Sequence, residues 1–246
     1  MNKIKAILFD TMYNTCMDSK NSVPLWHHIT RRHPSAFLLA AQLVSLALYV
    51  MLENVPGGQF ILGIVGMLIL LLVVWVVIHS PAINWIAWSI AGAVFLLSAM
   101  AWLQDNPSLL IWAALPQAVL YFYGAGGLIV HMMGDENVTT DDLFAAGATF
   151  TLIAWGFAYL YLICQAWSPG AFAYAAHSRD PLNFIELLFL SFANLSATGL
   201  SDIIPASAPS RVLVMLEQFA GVAYIAVVVS RLIGLTITRR QDRGAP

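Results

Sequence analysis

Residues 194–205, NLSATGLSDIIP, contain the side chains and backbone best suited to handle an ion, and they lie between two apolar segments. Small residues, hydroxyls, one glycine and one carboxylate follow one another, and such a run favours neither helix nor strand. Within a membrane, non-helical backbone is tolerated only where protein buries it or where it lines a water-filled cavity. Backbone carbonyls in such a loop can replace the hydration shell of a cation. The stretch is therefore a candidate cation-coordinating loop, provided that its neighbours lie in a membrane.

Composition places those neighbours in a membrane. Of 246 residues, 60% are hydrophobic and only 10% are charged, and the mean hydropathy is +0.78. Residues 54–104, 106–134 and 143–178 contain no Asp, Glu, Lys or Arg. A soluble domain does not hold that much uncharged sequence, so we expect a lipid bilayer as partner and no nucleic acid. No catalytic constellation appears and the glycine runs lack a following Lys-Ser, so we expect neither an enzyme nor a cofactor.

Six segments have the length of about 20 apolar residues that a spanning helix needs. Their limits are about 36–53, 59–79, 83–103, 108–133, 141–167 and 209–235. Turn residues separate them, and Thr140 followed by two aspartates is typical of a capped helix start. The sequence therefore predicts an all-α membrane protein with six transmembrane helices.

The distribution of Lys and Arg predicts the orientation. Most of them lie in the two tails, at Lys3, Lys5, Lys20, Arg31, Arg32, Arg239, Arg240 and Arg243. Six spans place both tails on one side, so the positive-inside rule puts both termini in the cytoplasm and the chain in the cytoplasmic membrane. No span carries an arginine at every third position, as a voltage sensor would. We therefore interpret the first four helices as a scaffold.

A seventh apolar piece lies between the fifth and sixth spans. Its uncharged run, residues 187–201, is too short to cross the bilayer. Asp180 and Pro181 favour a helix that begins there, with Asp180 as N-cap and Pro181 at the first helical position. A short helix followed by irregular backbone indicates a re-entrant loop whose helix directs its C-terminal, partly negative end at the bilayer centre.

Residues 184–235 resemble the pore module of the tetrameric potassium-channel family. In that family a pore helix is followed by T-x-G-Y-G-D, then a Pro, then an inner helix with a hinge glycine. Asp202 and Pro205 match the closing acid and the Pro, and Arg211 and Gly221 follow at the spacing of small bacterial channels. The fifth span is similar to the outer helix of bacterial six-span channels. The resemblance implies a homotetramer around one pore.

The predicted spans, their orientation and that resemblance together predict the domain organisation. Residues 1–35 form a cytoplasmic tail, residues 36–133 form the four-helix scaffold, and residues 134–246 form the pore domain. Gly221 matches the hinge. Family spacing assigns the lining of the inner pore to five aliphatic residues: Val222, Ile225, Val229, Ile233 and Ile237.

The segment at the filter position departs from the family pattern. It reads Ala197, Thr198, Gly199, Leu200 and Ser201, closed by Asp202. Ala197 lacks the threonine hydroxyl, and Leu200 lacks the tyrosine hydroxyl that tethers the filter. Ser201 replaces a left-handed glycine, so we expect a backbone cost at that position. The carbonyls of Thr198 and Gly199 are the expected ligands of K⁺ or Na⁺, because coordination depends on backbone conformation.

Several hypotheses remain open from sequence. The chain conducts K⁺ passively, and Na⁺ as well through the altered filter, or it is a non-conducting or regulatory membrane protein that keeps the fold. A secondary transporter is disfavoured because the two halves show no repeated broken helix. Glu217, inside the sixth span, is either a functional carboxylate or a hydrogen-bond partner for the back of the pore helix or a neighbouring subunit.

Overall fold

The computed structural model describes residues 34–52, 55, 65–66, 68–75, 84–104, 107–134, 139–175 and 181–244. For residues 34, 50, 84, 102, 107–110, 232 and 234–244 it describes the backbone only. The predicted tail 1–33 and most of the predicted second span lie outside the described residues. Within that span, residues 65–66 and 68–75 are described and are helical.

The described chain is mostly helical. The helices are α1 (Pro34–Leu52), α2 (Asn84–Leu103), α3 (Pro107–Gly134), α4 (Thr140–Trp167), α5 (Phe184–Leu195) and α6 (Ala208–Gly244). Two short strands, β1 (Phe172–Tyr174) and β2 (Ile203–Pro205), flank α5 in sequence. Except for the second span, the predicted spans coincide with α1, α2, α3, α4 and the first three quarters of α6.

Within the described residues, three helices are long and apolar enough to cross a membrane. They are Ile111–Gly134, Thr140–Trp167 and Ala208–Arg231, whereas α1 and α2 contribute shorter apolar stretches. This agrees with a membrane protein. The count of six spans remains a prediction.

Helix α4 lies at the centre of the bundle and contacts α1, α3, α5 and α6. Its apolar residues point in all directions, as is typical of a helix covered on every side. Accordingly, 61% of the most apolar stretch of α4 is buried inside one chain, whereas only 22% of the corresponding stretch of α6 is buried. The outer face of α6 is therefore left for lipid or for other subunits.

The start of α4 fixes the relative direction of two helices. Thr139 caps α4, and its side chain and that of Asp142 form a reciprocal capping box. The cap therefore lies one residue before the predicted start at Thr140. The Ser35 hydroxyl donates to the Asp141 carboxylate at 3.0 Å, so α1 and α4 begin on the same side of the bundle. This is the direction expected of the first and fifth of six spans.

The two strands were not predicted, and the purely α-helical expectation is wrong on this point. β1 and β2 are antiparallel, with Ala173 opposite Ile204. The ladder extends in one direction through the Ala175 amide, which donates to the Asp202 carbonyl at 2.8 Å. Phe, Tyr and Ile favour strands, but three residues form one only when a partner lies beside them. The ladder joins the segment after α4 to the segment after α5.

Candidate functional site

The cap of α5 lies later in the chain than the sequence predicted. Asn183 is the N-cap: its side chain accepts the Glu186 amide at 3.0 Å, and the Glu186 carboxylate accepts the Asn183 amide at 2.6 Å. The prediction of Asp180 as N-cap and Pro181 as first helical residue is wrong, because Pro181 precedes the helix. Asn183 has a Glu three positions later, and this pair satisfies two orphan amides at once. Asp180 itself lies outside the described residues.

The hydrogen bonds of α5 define its depth beside α4. The Gln165 side chain, near the end of α4, donates to the Leu182 carbonyl at 2.9 Å and accepts the Leu182 amide at 3.0 Å. Eight positions into α5, the Ser191 hydroxyl donates to the carbonyl of Ala154, halfway along α4, at 2.8 Å. A helix of 12 residues is about 18 Å long and cannot cross a hydrocarbon core of about 30 Å. Helix α5 thus runs from the end of α4 to its middle, the geometry of a re-entrant segment.

The chain then turns back through residues 196–202, here called the return loop. The Ala193 carbonyl, in the last turn of α5, accepts the Gly199 amide at 3.0 Å and the Thr198 hydroxyl at 3.2 Å. The Ala197 amide donates to the Asn194 carbonyl at 3.0 Å. The return loop is therefore hydrogen-bonded to the C-terminal end of α5, and the Thr198 hydroxyl is directed towards that helix.

Two residues of the return loop are left-handed. Ala197 has φ of +58° and Gly199 has φ of +64°. The expectation of a left-handed Ser201 is wrong: its amide donates to the Gly199 carbonyl and its hydroxyl accepts the Ile203 amide, both at 3.1 Å. These two bonds hold Ser201 in a turn. The backbone cost of about 1–2 kcal/mol for a left-handed non-glycine residue falls on Ala197 instead.

One side of the return loop is open in a single chain. Residues 197–200 are exposed, and the Leu200 side chain is 79% exposed. An apolar side chain in this position makes no hydrogen bond, so Leu200 does not tether the loop. Of the residues predicted as a filter, 197–200 and Asp202 are therefore exposed in a single chain, whereas Ser201 is half-buried.

The far end of the return loop carries negative charge. The Tyr174 hydroxyl donates to the Glu186 carboxylate at 2.5 Å. That hydrogen bond, with burial and the nearby charges of Glu186 and Asp202, raises the pKa of Tyr174 to about 12. Tyr174 therefore keeps its proton at neutral pH and ties β1 to α5.

The back of α5 rests on α4 and α6. The Glu217 side chain is fully buried and is hydrogen-bonded to the hydroxyls of Tyr161 of α4 and Ser191 of α5. This confirms the hypothesis that Glu217 bonds to the back of the short helix. Sequence reasoning missed its partners and also Gln165. A serine within an apolar helix and a tyrosine within a span were the available signals, but spacing alone did not connect them.

Gly221 lies where α6 passes closest to α5. A Cβ atom on Gly221 would lie 2.1 Å from the carbonyl oxygen of Leu195, the last residue of α5. Only glycine allows this approach. The structure thus gives Gly221 a packing role, while its predicted role as a hinge remains a prediction; α6 is one continuous helix from 208 to 244.

The predicted inner-pore residues share one face of α6, next to its buried face. The exposed fractions are 56% for Val222, 39% for Ile225, 46% for Val229 and 55% for Ile233. The side chain of Ile237 lies outside the described residues. Among the described residues, this face is therefore only partly covered within a single chain, as a pore-facing or subunit-facing surface requires.

Comparison with known families agrees with this geometry. Residues 147–237 match the family model described as Ion channel. The match begins within α4 and continues through α5 and the return loop into α6. It confirms the resemblance over that segment to an ion-channel pore family. Comparisons with curated proteins and with solved structures give no match.

Proposed function

We propose that this chain, whose residues 147–237 form an ion-channel module, is a homotetrameric channel that conducts alkali cations passively. K⁺ is the favoured ion by family, and Na⁺ passes too because the filter is altered. One observation carries the proposal: a short helix reaches the level of the middle of α4 and turns into an exposed loop with left-handed backbone at Ala197 and Gly199. Irregular backbone at that depth is stable only when it is buried or lines a water-filled path.

The proposed filter consists of backbone carbonyls. One chain supplies one strand of carbonyls, and a ring around an ion needs several, which supports four copies around an axis. The carbonyls of Thr198 and Gly199 are the proposed ligands, and no other cofactor is required. The Gly199 carbonyl accepts the Ser201 amide, but a carbonyl oxygen has a second lone pair for a cation.

Charge and surface around the filter support the same arrangement. Glu186 and the exposed Asp202 lie at the end of the return loop near β1, where carboxylates raise the local cation concentration. On the other side, the face of α6 that carries Val222 and Ile233 is aliphatic, so the inner pore can close by dewetting. Gly221 remains the proposed hinge of that helix.

The proposed placement is the cytoplasmic membrane, with both termini in the cytoplasm. Helices α1, α2 and α3 and the partly described second span form the scaffold. Its contacts with α4, including the hydrogen bond from Ser35 to Asp141, support a role in holding the outer helix of the pore.

A second candidate is a non-conducting or regulatory membrane protein with this fold. The observation that favours it is the conformation of the return loop: Ser201 is not left-handed, and the Thr198 hydroxyl bonds to α5. A loop held in this way presents fewer carbonyls to an axis than a regular filter.

Passive flux separates the two candidates. Purified protein in liposomes with an outward K⁺ gradient is expected to take up a tracer cation, and protein-free liposomes are the control. In detergent the same preparation should have the mass of four chains. A stable monomer or dimer, or a tetramer without flux of K⁺ or Na⁺, would contradict the proposal.

A further inference from the structure

The carboxyl group of Glu217 lies where no cationic side chain of the described residues could balance a negative charge. It is fully buried, it is hydrogen-bonded to the hydroxyls of Tyr161 and Ser191, and the Asn194 side chain also lies beside it. Within the described part of the chain, no Lys, Arg or His forms an ion pair with it. A buried carboxylate without a cation costs several kcal/mol. Burial therefore favours the neutral carboxylic acid.

The count of hydrogen-bond donors around Glu217 also favours its neutral form. The Ser191 hydroxyl has one proton and lies within hydrogen-bond distance of both the Ala154 carbonyl and the Glu217 carboxyl group. If Glu217 were ionised, both acceptors would compete for that one proton. If Glu217 is protonated, it donates to Ser191, Ser191 donates to Ala154, and Tyr161 donates to the other Glu217 oxygen. Every polar atom of the chain of bonds is then satisfied.

The same face of α6 holds the last two turns of α5. Glu217 bonds to Ser191, and four residues further along each helix Gly221 touches Leu195. Between them the Gln218 amide donates to the Asn194 side chain at 3.3 Å. The return loop is hydrogen-bonded to the carbonyls of Ala193 and Asn194. The position of α5 against α6 therefore determines the position of the loop.

We propose that neutral Glu217, bonded to Tyr161 and Ser191, is the positioning residue that fixes the return loop. This rests on the proposed function for its link to selectivity. The tyrosine that tethers the filter in the family is replaced here by the exposed Leu200. The return loop is therefore held through α5, by the hydrogen bonds of Glu217. These hydrogen bonds join α4, α5 and α6 at one point.

Hydrogen–deuterium exchange of the peptide covering residues 194–205 tests the proposal without requiring conduction. In the full-length protein, Glu217→Leu removes both bonds, and exchange of this peptide is expected to be roughly tenfold faster. Glu217→Gln offers one donor and one acceptor in the same shape, so its exchange should stay within about twofold of the parent. Leu216→Ala, on the exposed side of α6, is the matched control and should also leave exchange unchanged.

Two milder variants test the positioning role if Glu217→Leu does not fold. Tyr161→Phe and Ser191→Ala each remove one bond and should give intermediate exchange. Parent-like exchange in Glu217→Leu, or in both milder variants, would overturn the positioning role. A Glu217→Gln protein as fast as Glu217→Leu would overturn the neutral form.

Ion selectivity provides the readout that a merely structural residue would not move. If the parent conducts, the K⁺ to Na⁺ permeability ratio should fall in Tyr161→Phe and Ser191→Ala and stay unchanged in Glu217→Gln. An unchanged ratio in all of them would contradict the link to selectivity. If the parent carries no current, the proposed function fails, whereas the exchange result still decides the positioning role.

Discussion

Gly221→Ala is expected to lower the thermal unfolding midpoint of the protein in detergent by about 5 °C or more. The added Cβ would lie 2.1 Å from the Leu195 carbonyl oxygen. The contact is with backbone, so no side-chain rotation relieves it, and α5 has to move away from α6. Glycine to alanine inside a helix is otherwise stabilising by about 1 kcal/mol. The predicted sign is therefore opposite to that of helix propensity.

The matched control is Gly126→Ala in α3, where a Cβ would have no heavy atom within 4 Å. That variant should leave the midpoint unchanged or raise it slightly. If Gly221→Ala is as stable as the parent and changes only channel opening, the hinge interpretation is sufficient and the packing role is wrong.

The double variant Leu200→Tyr with Ser201→Gly is expected to raise the K⁺ to Na⁺ permeability ratio about tenfold, which corresponds to about 1.4 kcal/mol. Tyrosine restores a hydroxyl that can tether the loop, and glycine restores access to the left-handed backbone. A ring held more firmly controls the number and distance of the coordinating oxygens, and these determine discrimination. Bi-ionic potentials measured on the parent and the variant give the ratio.

Leu200→Phe with Ser201→Gly is the control, since phenylalanine has the ring without the hydroxyl. It should gain less selectivity than the tyrosine variant. If the parent already excludes Na⁺ as strongly as the double variant, selectivity does not depend on the tether or the second glycine.

The sequence predicted well those features that depend on one continuous segment of the chain. Long apolar runs marked α2, α3, α4 and most of α6, because the apolar character of a span depends on composition over its own length, and the α6 run keeps that character despite Arg211, Glu217 and Arg231. The shortness of the run 187–201 predicted that α5 cannot cross the bilayer. The cap of α5 was misplaced because two good caps, Asp180 and Asn183, stand three residues apart, and the capping box with Glu186 decides between them.

The missed features join residues that are far apart in sequence. Tyr161 and Glu217 are 56 positions apart, and β1 finds β2 only because α5 returns the chain to the end of α4. The left-handed residue was assigned to Ser201 by analogy with a glycine, but hydrogen bonds with Gly199 and Ile203 hold Ser201 in a turn, and the left-handed non-glycine residue is Ala197. Such contacts depend on how helices dock, which periodicity does not encode.

Site-directed block at residue 200 tests most directly that a cation passes through the return loop. Leu200→Cys in a Cys16→Ser background places a thiol at a position that is 79% exposed, while the remaining Cys164 is buried. Trp167→Cys, at the 71% exposed end of α4, is the control of similar exposure. We predict that a positively charged methanethiosulfonate reagent abolishes K⁺ flux into liposomes with the Leu200→Cys protein and leaves the Trp167→Cys protein unaffected. Full labelling of Leu200→Cys with undiminished flux would contradict conduction through this loop.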